Sequence, residues 1–124
     1  MTTVVISGSR SITTLPKEAI ASLDKIIALG FDILIGDAPG VDAAVQCYLK
    51  SKGYNRVKVC ISGRNNIRAR NNAGFPCLVI PGSYSDRDCY MCSQAQYGLA
   101  IWDGSSKGTA MNISRVPKTR IICV

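Results

Sequence analysis

Apolar positions along this chain alternate between short continuous runs and longer stretches with a period near 3.6. Residues 3–7 are β-branched and apolar and stop at Gly8-Ser9-Arg10, which reads as a strand meeting a turn. From 16 to 29, Ala19, Ile20, Leu23, Ile26 and Ile27 recur at helical spacing, with Thr14 as the expected N-cap and Gly30 as the stop. Residues 31–35 form a second apolar run, closed by the turn Gly36-Asp37-Ala38-Pro39-Gly40. Residues 41–52 repeat the helical stripe through Ala44, Val45, Tyr48 and Leu49 and end at Gly53, and 56–61 read as a third strand. The stretch 62–84 is less regular, and its segment 77–80 reads equally as a short strand or an extended loop. Ser85, followed by acids in the first turn, is expected to cap a helix running to about Tyr97. Residues 99–102 form a strand, 103–108 a loop, 109–114 a short helix and 120–124 a last strand. Strands that are continuously apolar and separated by helices belong to a parallel sheet covered on both faces. The expected fold is α/β: a single-domain, Rossmann-like, doubly wound parallel sheet of about five core strands, spanning residues 1–124.

Composition narrows the setting. Apolar residues make up 47% and charged residues 19%, which excludes a disordered chain. The apolar runs are too short to span a bilayer, and the first residues lack the basic and apolar regions of a secretory signal. A cytoplasmic location without a membrane partner is expected. The net charge of +7 favours anionic partners, and Arg64, Arg68 and Arg70 crowd into one segment that reads either as a loop closing over a ligand or as a solvated face. The absence of histidine removes the commonest general base and metal ligand. The six cysteines fall mostly in apolar patterns, Cys60 and Cys123 among them, and read as buried small hydrophobes. Cys89 and Cys92 form a C-x-x-C without a second pair to complete a zinc site. No metal and no cofactor are expected.

In doubly wound sheets ligands bind beyond the carboxyl ends of the strands. Three loops at that edge share one chemistry: Ser7-Gly8-Ser9-Arg10, the turn Gly36-Asp37 through Gly40 to Asp42, and Asp103 through Ser106-Lys107-Gly108-Thr109. Glycine lets backbone amides approach an anion, hydroxyls donate to phosphate oxygens, and Arg10 or Lys107 adds a full charge. Arg10 is read as a phosphate clamp or as a partner of Asp37 or Asp103 in an empty site. The carboxylates Asp37, Asp42 and Asp103 are the candidates for acid–base catalysis, although Asp42 alone would also suit a helix N-terminus. Trp102 is placed either to stack on a base or to close the core at a strand end. Neither G-x-x-x-x-G-K-[ST] nor G-x-G-x-x-G occurs, which disfavours P-loop and ordinary NAD chemistry.

The segments 4–10, 36–42 and 100–109, taken in order, resemble the SLOG superfamily, which includes the DNA-processing protein A proteins and the Lonely-guy cytokinin-activating enzymes. The resemblance is nearest to its small single-domain, YspA-like branch. It implies a pocket for nucleotides or nucleotide-derived ligands, with Gly8, Ser9 and Arg10 on one wall and Gly36, Asp37, Gly40 and Asp42 on another. It further implies that Ser106, Lys107, Gly108 and Thr109 take a phosphate, that Asn112 faces the pocket from the first turn of the last helix, and that the protein is a homo-oligomer. Lonely-guy enzymes carry a catalytic glutamate where this chain has Asn112, and its one glutamate is Glu18 in the first helix. Three functions follow as expectations: binding or sensing of an ADP-ribose-like small molecule, hydrolysis of an N-glycosidic or phosphate bond, and single-stranded nucleic-acid binding as in the DNA-processing relatives.

Overall fold

The apolar runs become strands and the periodic stretches become helices in the computed structural model, which describes residues 1–64 and 68–124. In chain order these are β1 (Thr3–Gly8), α1 (Lys17–Leu29), β2 (Asp32–Ile35), α2 (Val41–Ser51), β3 (Val57–Ser62), β4 (Cys77–Ile80), α3 (Tyr84–Gln94), β5 (Tyr97–Trp102), α4 (Lys107–Arg115) and β6 (Thr119–Cys123). The strands form one sheet in the order β4-β3-β2-β1-β5-β6, with every neighbouring pair parallel. This is the Rossmann-like α/β architecture. The ambiguous segment 77–80 is a strand, paired with β3 at one edge of the sheet.

Strand alternation sorts side chains between two cores. Val4 and Ile6 join Leu23 of α1 and Val45 and Leu49 of α2 on one side of the sheet. Val5, Leu34 and Cys60 meet Met91 and Cys92 of α3 on the other. Leu23 and Leu49 are fully buried, and each such side chain contributes about 1.5–3 kcal/mol through removal of apolar surface from water.

Several boundaries differ from the pattern reading. Thr14 does not cap α1; Pro16 is the N-cap, with no side-chain bond to the helix. The end of α1 is as expected, with Gly30 in the left-handed region at φ 69°. Ser83, not Ser85, caps α3: its hydroxyl accepts from the Asp86 amide at 3.2 Å while the Asp86 carboxylate accepts from the Ser83 amide at 2.9 Å. This reciprocal box needs partners three apart, and Ser83 and Asp86 supply them. The helix stops at Gln94 because Tyr97 is already in register with Val4 as the first residue of β5. Cys123 is exposed, as are Cys47, Cys77 and Cys89, so only Cys60 and Cys92 are buried. The edge position of β6 explains Cys123: Ile122 packs inward while its neighbours face out. Burial pushes the Cys60 and Cys92 thiols up to about 11, which makes them poor nucleophiles and half of the C-x-x-C unreactive. No helix among the described residues is long and apolar enough to cross a membrane.

Beyond β1 the chain builds β2, β3 and β4 to one side, then crosses back to lay β5 against β1's other edge. The crevice of a doubly wound sheet opens where the order reverses, here between β1 and β5. Gly8 sits at that point against α2, and a Cβ there would lie 2.6 Å from the Ile101 carbonyl and collide with the Val41 side chain. Gly8→Ala should therefore cost about 1–3 kcal/mol, read as a lower urea midpoint with an unchanged slope. Gly108→Ala, where no atom lies within 4 Å of the added carbon, should hold the midpoint or raise it.

Candidate functional site

A cavity of about 400 Å³ occupies the β1/β5 crevice. The end of β1 contributes Ser7, Gly8, Ser9 and Arg10, and the β2 side contributes Gly36 and Asp42. From the β5–α4 side come Asp103, Ser106, Gly108, Thr109 and Asn112. Asn112 lies in the second turn of α4, because the helix starts two residues before the expected point. The three loops singled out by composition do converge. Four of the expected residues stand outside the lining: Asp37, Gly40, Trp102 and Lys107. Lys107 is exposed beside the cavity. Gly40, at φ 82°, packs on the Arg10 carbonyl and locks the β1 loop to the start of α2. Trp102 donates its indole N–H to the Ser106 carbonyl at 3.0 Å and braces the loop from behind.

Asp103 organises that loop. Its Oδ1 accepts from the amides of Ser105 at 2.9 Å and Ser106 at 2.8 Å, and from the Ser106 hydroxyl at 2.9 Å. The buried Ser9 hydroxyl joins the two sides, accepting from the Asp103 amide at 2.9 Å and meeting the Ser106 hydroxyl at 3.0 Å. These donors, the two amides foremost, hold the Asp103 carboxyl far below the usual range. Asp103 is thus an anchor whose acceptor sites are occupied, and a poor proton donor. Beyond it, the first-turn amides of α4 have no acceptor one turn back within the helix, and Gly108 and Thr109 present that N-terminus to the cavity. Gly108 leaves its amide unshielded. The result is a cradle suited to an anion.

The opposite wall rests on Asp37, which is wholly buried. Its Oδ1 pairs with Arg87 at 2.8 Å and Arg70 at 2.9 Å, and its Oδ2 accepts from the Arg70 amide at 3.0 Å. Burial pushes the Asp37 carboxyl up, but the Arg70 hydrogen bonds and the charges of both arginines outweigh it and leave it below the usual range. Arg87 also pairs with Asp88 at 3.0 Å; Asp88 accepts from the Asn112 amide at 3.3 Å, and Asn112 from Arg115 at 2.9 Å. A continuous polar chain thus runs from the β2 turn through α3 to α4. Gly36 permits the tightest part of it, since a Cβ there would lie 2.8 Å from the Asp42 carboxylate and 3.0 Å from the Arg87 guanidinium carbon.

Asp42 is buried at the cavity wall, where its Oδ2 accepts from the Ala38 amide at 3.2 Å. Loss of water pushes its carboxyl up to about 7; the Arg87 charge and the Ala38 amide oppose this, and the nearby Asp88 and Asp37 add to it. Gly40, not Asp42, is the N-cap of α2. Arg10 pairs with neither Asp37 nor Asp103; it is exposed and lies over the Tyr84 ring, 6.0 Å from its centroid. Among the described residues it makes no ion pair. Within the arginine-rich segment, Arg64 and Arg68 are exposed and Arg70 turns inward. Its residues Asn65, Asn66 and Ile67 lie outside the described residues.

Tyr84, Arg87, Asp88 and Met91 line the cavity from α3 and were not legible as site residues. A signal existed: Arg87 stands four before Met91 and Asp88 four before Cys92, on the buried face of the helix. Among the described residues no three His, Cys, Asp or Glu side chains converge as a metal site. No protein-family model and no curated protein matches the chain.

Removing the carboxylate from the hub strands two guanidiniums, so Asp37→Ala should lose about 3–5 kcal/mol in urea denaturation. For Asp42, the folded state keeps a proton that the unfolded carboxyl, with its ordinary value of 3.8, releases; the window runs up to about 7. Stability should fall as pH rises through that window, by up to about 1.4 kcal/mol per pH unit. Asp42→Asn should flatten that slope in urea midpoints taken across the same range. The opposite shift of Asp37 acts only at pH below the window.

Proposed function

We propose that this chain binds a nucleotide-derived small molecule of the ADP-ribose class at the carboxyl edge of its sheet, as a sensor or binding protein. The observation that carries this reading is the polarity of one cavity. Gly108 and Thr109 at the α4 N-terminus form an amide-rich end, with the mobile charge of Arg10 on the same lining, while Asp42 and Asp88 line the wall formed by α2 and α3. Amides at a helix start suit phosphate, a guanidinium attracts an anionic ligand or stacks on its base, and carboxylates accept from ribose hydroxyls. The volume of about 400 Å³ falls in the usual range for small-molecule sites. The resemblance of the three loops to the SLOG superfamily supports the same ligand class, and homo-oligomerisation belongs to that resemblance; a cytoplasmic location belongs instead to the reading of composition and the first residues.

One observation favours a hydrolase as the second reading. Asp42 holds its proton to about 7 at the cavity wall. A carboxyl protonated near neutral pH can protonate a departing base, as a general acid in N-glycosidic cleavage must. Asp103 cannot take that role because its oxygens serve the loop, and Asn112 supplies no carboxyl.

Calorimetric titration with ADP-ribose, AMP and ribose 5-phosphate tests the binding reading. Heat with near-stoichiometric saturation is expected from at least one, and Arg10→Ala should weaken nucleotide binding by about 2- to 30-fold through loss of the exposed cation from the lining. Absence of heat from all three with the native chain would overturn the reading. If base or ribose phosphate accumulates during the titration, the hydrolase reading holds, and Asp42→Asn should then abolish release while retaining binding.

A further inference from the structure

We infer that Tyr84 and Arg10 form a base subsite: a purine ring enters between the phenol and the guanidinium, with the ligand's phosphate at the N-terminus of α4. This rests on the nucleotide reading of the cavity and adds the part of the ligand that sets specificity. Tyr84 is the one aromatic residue among the described lining of the cavity. Trp102, the aromatic that the sequence pointed to, is outside it and tied to the Ser106 carbonyl. Tyr84 is the first residue of α3, and the Ser83–Asp86 box fixes the backbone on which the ring stands.

Three guanidiniums lie over the ring and differ in their partners. Arg70 lies 4.6 Å and Arg87 5.2 Å from the centroid, and both are held by ion pairs to the buried Asp37. Arg10 lies at 6.0 Å, is exposed, and has no carboxylate partner among the described residues. It is therefore the layer that can move. Stacked groups sit about 3.5–4.0 Å apart, so a ring between phenol and guanidinium needs a gap of about 7–8 Å. The Arg10 guanidinium carbon lies 6.0 Å from the ring centroid, so the gap opens with a retreat of at least about 1–2 Å, within the reach of an exposed four-bond side chain. The exchange breaks no ion pair. It replaces one cation–aromatic contact by two stacking contacts, since a guanidinium also stacks on a heterocycle.

The consequence is discrimination between a nucleotide and the bare sugar phosphate. Calorimetry with AMP and ribose 5-phosphate should show AMP binding about 5- to 100-fold more tightly to the native chain. Tyr84→Leu should collapse that ratio toward one, and Tyr84→Phe, which keeps the ring face, should restore it. The fluorescence of 1,N6-ethenoadenosine monophosphate gives a readout on the native chain that needs no variant: stacking should quench it on binding. Three results would overturn the subsite while leaving the binding reading intact: equal affinities of the native chain for AMP and ribose 5-phosphate, an unchanged ratio in Tyr84→Leu, or bound etheno-nucleotide with unquenched emission. If the native chain binds none of ADP-ribose, AMP and ribose 5-phosphate, both readings fall together.

Discussion

One carboxylate removed from water holds three segments of this protein in place. Asp37 stands in the turn after β2, and its two guanidinium partners come from the β3–β4 connection and from α3. A buried carboxylate without counter-charge is among the most costly groups a fold can contain, so Arg70 and Arg87 are obligatory rather than decorative. The arrangement also sets the protonation of the surrounding groups. Two guanidiniums balance Asp37 and Asp88, and the third carboxyl, Asp42, stands where burial dominates over the remaining attraction and keeps its proton. In the cavity wall three acids share two bases, and the acid with no guanidinium in contact holds its proton up to about pH 7.

The same interaction transmits geometry to the ligand side. Arg87 orients Asp88, Asp88 orients Asn112, and Asn112 lies on the helix whose first turn offers its amides to the cavity. On the other side, the Ser9 hydroxyl ties the β1 loop to the Asp103 loop. The amide-rich end and the acidic wall are therefore two ends of a single braced frame, and among the described residues Arg10 is the charged lining group left outside it. A rigid frame with one loose cation suits a site that admits its ligand by local side-chain movement rather than by rearrangement of the fold.

Much of this was readable before any coordinates. The alternation of β-branched runs with 3.6-periodic stretches is a direct record of a sheet buried on both faces, and Gly30 ends α1 as expected. Glycine and small polar residues at three strand ends also marked the cavity, because close backbone approach has few substitutes. What stayed hidden was pairing. Asp37 looked like a ligand contact because a lone acid at a strand end carries no mark of the two arginines that would claim it. Arg87 drew no reading of its own because periodicity scores apolar residues, and an arginine on the buried face of a helix breaks the pattern it belongs to. Cys123 looked buried because an edge strand and a central strand can carry the same apolar run.

The crossing that opens the crevice also orders the assembly of the protein in time. Ser9 and the Asp103 amide that meets it are 94 positions apart, and Asp37 finds Arg87 at a distance of 50. Contacts so far apart along the chain are the slowest to close and carry the largest loop entropy. During synthesis β1 has to wait with one edge unpaired while β2, β3 and β4 accumulate on its other side, until β5 emerges to cover it. The cavity consequently takes shape late, with only β6 still to follow, and a molecule bound there would act as a clasp across that long separation, slowing the escape of β5 and with it the unravelling of the sheet.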